Sequence, residues 1–152
     1  MKLQQIASHD YRVLAVLDPV EGHSVLEILD DASRHYPLLF EQMVAALYRH
    51  TPTFGPPYAE KRDGVAKAKG LDRGISEFTA RNWALTRRQR KKQSAAERDM
   101  GLRVFFFEYG NTIVCTNACY KTSKTPPDAL PAALRICADL LAGERPEILG
   151  GD

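Results

Sequence analysis

A chain of 152 residues with 44% hydrophobic and 26% charged residues is long enough to bury one core and too apolar for wholesale disorder. Its start, MKLQQIASHD, lacks the basic-then-apolar layout of an export signal, and no stretch approaches a membrane span, so a cytoplasmic protein with no membrane partner is expected. The net charge of +2 conceals an asymmetry: residues 81–124 hold ten Lys/Arg against three acids, or +7, leaving −5 for the remainder, which points to a polyanion or an acidic partner on one side.

In chain order, YRVLAVL at 11–17 is β-branched and apolar and reads as a first buried strand. Ser24-Val-Leu-Glu27 has the spacing of a capping box, opening a helix with Val25, Ile28, Leu29 and Ala32 on its buried face. Pro37 suits the first turn of a second helix, whose stripe Phe40, Met43, Val44 and Leu47 recurs at i, i+3, i+4, i+7; it ends by Thr51-Pro52. Residues 52–73, rich in proline, glycine and lysine, read as a long loop. GISEFTAR (74–81) is a second strand, alternating Ile75, Glu77, Thr79 and Arg81 against Ser76, Phe78 and Ala80. The basic stretch from Trp83 to Gly101 has helix-forming residues but no apolar stripe, and is taken as a basic insert.

LRVFFFEY (102–109) and TIVCTNACY (112–120) flank Gly110-Asn111, the signature of a two-residue hairpin. That turn predicts the pairs Tyr109–Thr112, Phe105–Thr116 and Arg103–Ala118. Arg103 then shares a face with Tyr120 one diagonal step away, roughly 7–8 Å between backbones, with Lys121 and Lys124 beyond. Asp128 is placed to cap a last helix with Pro131 in its first turn and Leu130, Leu134, Cys137 and Leu141 as the buried stripe. Gly143 ends it, and residues 144–152 read as a flexible tail. The whole is an α+β domain over 1–143 with a mainly antiparallel sheet. The three cysteines read as reduced core thiols, and Cys115-x-x-x-Cys119 lacks the partners of a zinc set, so neither metal nor cofactor is expected.

The stretches Gly74-Ile-Ser-Glu77-Phe, Leu102-Arg-Val-Phe-Phe-Phe107, Tyr120-Lys-Thr-Ser-Lys-Thr-Pro126 and Ala132-Ala-Leu-Arg135 resemble the RelE/HigB toxin superfamily, most closely its phage-derived HigB-like branch. The likeness covers roughly residues 10–142. It implies a RelE-like microbial RNase fold, β-α-α-β-β-β-α, and a toxin of a type II toxin–antitoxin module that cleaves mRNA on the ribosome without a metal and is neutralised by a helix-turn-helix antitoxin. Where the family often has arginine on the second strand this chain has Thr79, with Arg81 on the same face, and the usual Lys-Lys pair is Tyr120-Lys121.

Metal-free RNA cleavage needs a base for the 2′-hydroxyl, cations for the phosphorane and an acid for the leaving 5′-oxygen. Arg103 is the first candidate for the phosphorane, since its fork matches two phosphate oxygens. Lys121 and Lys124 are candidates for charge or proton transfer, Tyr120 for proton transfer or base stacking, and Arg81 and Glu77 complete the expected set, Glu77 as a base or as an ion-pair partner of Arg81 or Arg103. In the insert Arg87, Arg88, Arg90, Lys91 and Lys92 have the charge to hold RNA phosphates without reading sequence. Two other readings fit the same scaffold: a ParE-like toxin that binds gyrase and cuts nothing, and a phage-derived relative without activity.

Overall fold

A computed structural model describes the chain except residues 20–21, 59–63, 82–86, 88–90, 92–99, 122–127, 144 and 151–152. The elements run β1 Lys2–Ser8, β2 Arg12–Val16, α1 Val25–His35, α2 Pro37–Val44, a π-helical stretch Ala45–His50, α3 Thr51–Phe54, β3 Lys67–Asp72, β4 Ile75–Arg81, β5 Gly101–Tyr109, β6 Thr112–Lys121, α4 Ala129–Leu141 and β7 Glu147–Leu149. The strands form one mixed sheet in the order β3-β4-β5-β6-β2-β1-β7. Its pairings are antiparallel except β2 with β6 and β1 with β7. The α+β class and the mainly antiparallel sheet therefore agree with the sequence reading. No helix among the described residues is long and apolar enough to cross a membrane.

Each face of the sheet carries its own core. On one, α1 and the α2–α3 rod cover Val13, Ala15, Phe78, Ala80, Val104, Phe106, Ile113 and Cys115, with Phe78 and Phe106 stacked at 4.2 Å between ring centres. On the other, α4 covers Leu14, Val16, Ile75, Phe105, Phe107 and Val114. Alternation along each strand sends successive side chains to these two cores, which explains three consecutive buried phenylalanines in β5.

The α1 signals work as the sequence suggests: Ser24 Oγ accepts from the Glu27 amide at 3.2 Å, and Val25, Ile28, Leu29 and Ala32 are buried. The second rod does not stop at Pro52 but passes through it. Proline has no amide to give and its ring crowds the carbonyl four residues back. The rod widens just before it, and the Thr51 amide reaches the Ala46 carbonyl, a five-residue step. Its buried face includes Leu39 and Gln42 with Met43, Ala46 and Leu47, rotated from the expected stripe so that Phe40 and Val44 are half-buried.

In α4 the buried residues are Ala129, Ala132, Ala133, Ile136 and Cys137, whereas Leu141 is 59% exposed. The expected leucine stripe is displaced because Phe105 and Phe107 already fill the space beneath, leaving room for small side chains at the contact. Asp128 stands at the N-cap position but its side chain makes no capping bond.

Three strands were not expected. Lys2–Ser8 pairs with β2, Lys67–Asp72 lies inside the expected loop, and Glu147–Leu149 in the expected tail pairs in parallel with Lys2–Gln4. The β3–β4 turn uses Arg73 at φ 48 and Gly74 at φ 84, the two positive angles of a type I′ turn.

Gln42 joins the helical layer to the end of β4. Its Nε2 donates to the Arg81 carbonyl at 3.1 Å, and the Arg81 amide donates to its Oε1 at 3.2 Å. These bonds satisfy the side of Arg81 that extends past β3. Gln42→Leu leaves both backbone groups without that partner, and a loss of about 1–3 kcal/mol in urea unfolding is expected; an unchanged midpoint would show that Arg81 is held by other means.

Candidate functional site

The geometry of the candidate residues is set by one irregularity in β6. The hairpin pairs as expected from Tyr109–Thr112 to Phe106–Cys115, with Gly110 at φ 59 in the turn. It then slips: Phe105 pairs with Asn117 and Arg103 with Cys119, so Thr116 is the extra residue of a bulge. The expected pairs Phe105–Thr116 and Arg103–Ala118 are thus wrong by one residue, and such a slip sends every later side chain to the opposite face. Polar bonds fix it. Thr116 Oγ1 donates to Asn117 Oδ1 at 2.8 Å and lies 3.3 Å from the Phe105 carbonyl. Asn117 Nδ2 donates to the Ala129 carbonyl at 3.0 Å, which ties the bulge to the start of α4.

The bulge separates Arg103 from Tyr120 and unites Arg103 with Lys121. On the α4 side, Glu77, Thr79 and Arg81 of β4 stand beside Phe105, Arg103 and Gly101 of β5, and these beside Asn117, Cys119 and Lys121 of β6. Lys69 of β3 pairs with Glu77. Arg103 Nη1 and Glu77 Oε2 form an ion pair of 3.0 Å with side chains only 10% and 4% exposed. Glu77 therefore takes the ion-pair role expected for it. Above this pair the side chain of Lys121 is half-buried, while Arg81 and Lys69 are exposed. Loss of hydration is the largest influence on the Lys121 amine and lowers its pKa, and Arg103, Arg81 and Lys69 push the same way against Glu77. Among the described residues, Arg103, Arg81, Lys69 and Lys121 thus share this face of β3–β6 with Glu77.

Gly101, which sequence reasoning passed over, forms the floor. It lies in the row between Arg81 and Lys121. A Cβ there would come within 3.4 Å of the Ala80 and Lys121 carbonyl oxygens and 4.0 Å of the Lys121 Cβ. Without one, two cationic side chains stand on either side of bare backbone, about 10 Å apart at the main chain, two strand spacings. The signal was available in principle, because a glycine opening an otherwise bulky strand marks a close approach.

Tyr120 occupies the other face. Its hydroxyl donates to Asp31 Oδ2 at 2.6 Å and its ring meets Tyr36 edge-on at 5.2 Å. Burial, then the Asp31 bond and charge, push the phenol pKa well above its ordinary value, so it stays a proton donor. Tyr120 lines a cleft of about 390 Å³ with His23, Glu27, Asp30, Asp31 and Arg34. The cleft lined by Glu27, Asp30 and Asp31 and the group containing Lys121 thus lie on opposite faces of the end of β6.

Arg87 and Lys91 are exposed, whereas Lys124, Arg88, Arg90 and Lys92 lie outside the described residues. Cys115, Cys119 and Cys137 are buried free thiols; burial pushes Cys119 up to about 11 and Cys115 to about 12. Comparison with protein-family models, with curated proteins and with solved structures gives no match.

Proposed function

We propose that the chain is a RelE/HigB-like toxin, a metal-independent endoribonuclease acting on translated mRNA at the cationic strand end. The observation that carries this reading is the convergence of Lys121, Arg81 and Lys69 on the face of the buried Glu77–Arg103 pair, a cluster in which, among the described residues, cations outnumber carboxylates. The helical pair on one face, the β4–β5–β6 meander and a C-terminal helix on the other face support the RelE-like arrangement, here extended by β1, β3 and β7.

In this mechanism an RNA phosphodiester lies over Gly101 between Arg81 and Lys121. Lys121 as the free amine accepts the 2′-hydroxyl proton, and the 2′-oxygen attacks phosphorus. Arg81 and Lys69 stabilise the charge gathering on the phosphorane, and the bond to the 5′-oxygen breaks as that oxygen takes the proton back from the Lys121 ammonium. Arg103 contributes its field from beneath rather than a direct fork on phosphate, because Glu77 already holds it. Tyr120, on the far face, takes no part in the chemistry. The partners in this reading are ribosome-bound mRNA in the cytoplasm and a helix-turn-helix antitoxin, with the basic insert contributing phosphate contacts from Arg87 and Lys91.

A second reading, a ParE-like gyrase binder or an inactive relative, is favoured by the burial of Arg103. Primer extension on cellular mRNA soon after induction separates the two. Cuts within translated regions are expected; growth arrest with intact mRNA and a DNA-damage response selects the gyrase-binding reading, and intact mRNA with normal growth selects the inactive one.

A further inference from the structure

We propose that Lys121 is a modification site for acyl phosphates, acylated without an enzyme, and that this neutralises the cationic strand end. The inference uses the anion-binding reading of this site but does not need RNA cleavage. Three features of the strand end combine here. First, the Lys121 ammonium stands among Arg103, Arg81 and Lys69, with Glu77 the opposing group among the described residues. Arg103 and Glu77 are committed to each other at 3.0 Å beneath it. Second, the side chain is half-buried, so the charged amine loses hydration while remaining open to a small reagent. Both effects favour the free amine, the only form that attacks a carbonyl; each unit of lowered pKa gives tenfold more of it, offset in part by weaker intrinsic nucleophilicity. Third, Gly101 puts bare backbone between Arg81 and Lys121 in this row, so among the described residues no side chain of β5 separates the two cations.

An acyl phosphate is a dianion whose electrophilic carbonyl adjoins its phosphate. Arg81 and Lys69 draw the phosphate in, which sets the carbonyl beside Lys121. The amine attacks, a C–N bond forms and the C–O bond to phosphate breaks. Phosphate departs as hydrogen phosphate carrying the amine's proton, and no electron changes hands. Lys121 becomes a neutral amide, so the site loses one cation and the amine whose pKa its neighbours lower.

The test treats the full chain with acetyl phosphate at neutral pH and follows each lysine by peptide mass mapping. Lys121 is expected to react at least about fivefold faster than exposed Lys2. Arg81→Ala is expected to slow its reaction with acetyl phosphate more than with uncharged acetic anhydride, because only the former is attracted as an anion. Modification of Lys121 no faster than Lys2, or an equal effect of Arg81→Ala on both reagents, overturns the proposal. Since the readout is chemical, fast labelling in a chain that cuts no RNA would sink the nuclease reading and leave this one standing.

Discussion

Replacing Arg103 with leucine while Glu77 remains is expected to lower the unfolding free energy by about 3–5 kcal/mol, read as a fall in the urea midpoint. The carboxylate is 3% exposed and Arg103 is 8% exposed, at 3.0 Å from each other. Once the guanidinium is gone, Glu77 keeps its desolvation cost and loses the cation that offset it. The pair itself is a different matter, since two buried charges give back in attraction little more than they lost in hydration. The double variant Glu77→Leu with Arg103→Leu is therefore expected to recover most of the loss, giving a coupling energy of about 2 kcal/mol or more in the double-mutant cycle. A single Arg103→Leu variant as stable as the parent would mean that the pair is not structural and would return Arg103 to the list of groups open to phosphate. The result bears directly on function. An inactive Arg103→Ala variant says nothing of catalysis unless its stability is measured beside it.

Much of the fold was legible because local signals and tertiary packing agree. Val25, Ile28, Leu29 and Ala32 repeat at helical spacing after a capping serine, and they are the residues that face the sheet. Glu77, Thr79 and Arg81 alternate cleanly against Phe78 and Ala80, and no irregularity intervenes. The missed strands lack such agreement. In β1, Gln4 and Gln5 break the apolar pattern, yet Gln4 Nε2 donates to the Leu149 carbonyl at 3.2 Å and Arg12 Nε donates to Gln5 Oε1 at 2.6 Å. Their partners lie 145 and 7 residues away in the chain, so the first is invisible to any local reading. β3 carries two lysines and a glycine because it is an edge strand, where charge on the margin discourages pairing with other chains.

The site was half legible for a sharper reason. The residue types and the strand end were found from the sequence, but their faces depend on a count along β6. Thr116 and Asn117 look like ordinary strand residues, and only the Ala129 carbonyl across the fold shows why one of them must be extra. A single inserted residue exchanged Tyr120 for Lys121 as the neighbour of Arg103 on that face. That exchange changes the chemistry under test, from a phenol pinned to a carboxylate to an amine with a lowered pKa.

Lys121→Arg is the substitution that separates proton transfer from charge. Arginine keeps the positive end and the reach, but it does not give up its proton under any useful condition. Affinity for RNA is expected to stay within about twofold of the parent, since phosphate contacts depend on charge. The cleavage rate is expected to fall by about 100-fold or more, the typical contribution of a positioned general base. The pH dependence follows from the direction of the shift. Burial and neighbouring cations lower the Lys121 pKa, so the parent's rate rises with pH as the free amine accumulates and levels off below the ordinary lysine value. The arginine variant loses that rise. Tyr120→Phe, which removes only the bond to Asp31 on the far face, is expected to leave both rate and pH profile unchanged. Cleavage by Lys121→Arg at the parent's rate would make Lys121 a phosphate anchor alone. Loss of cleavage in Tyr120→Phe with the fold intact would move the chemistry to the acidic cleft, on the opposite side of the sheet.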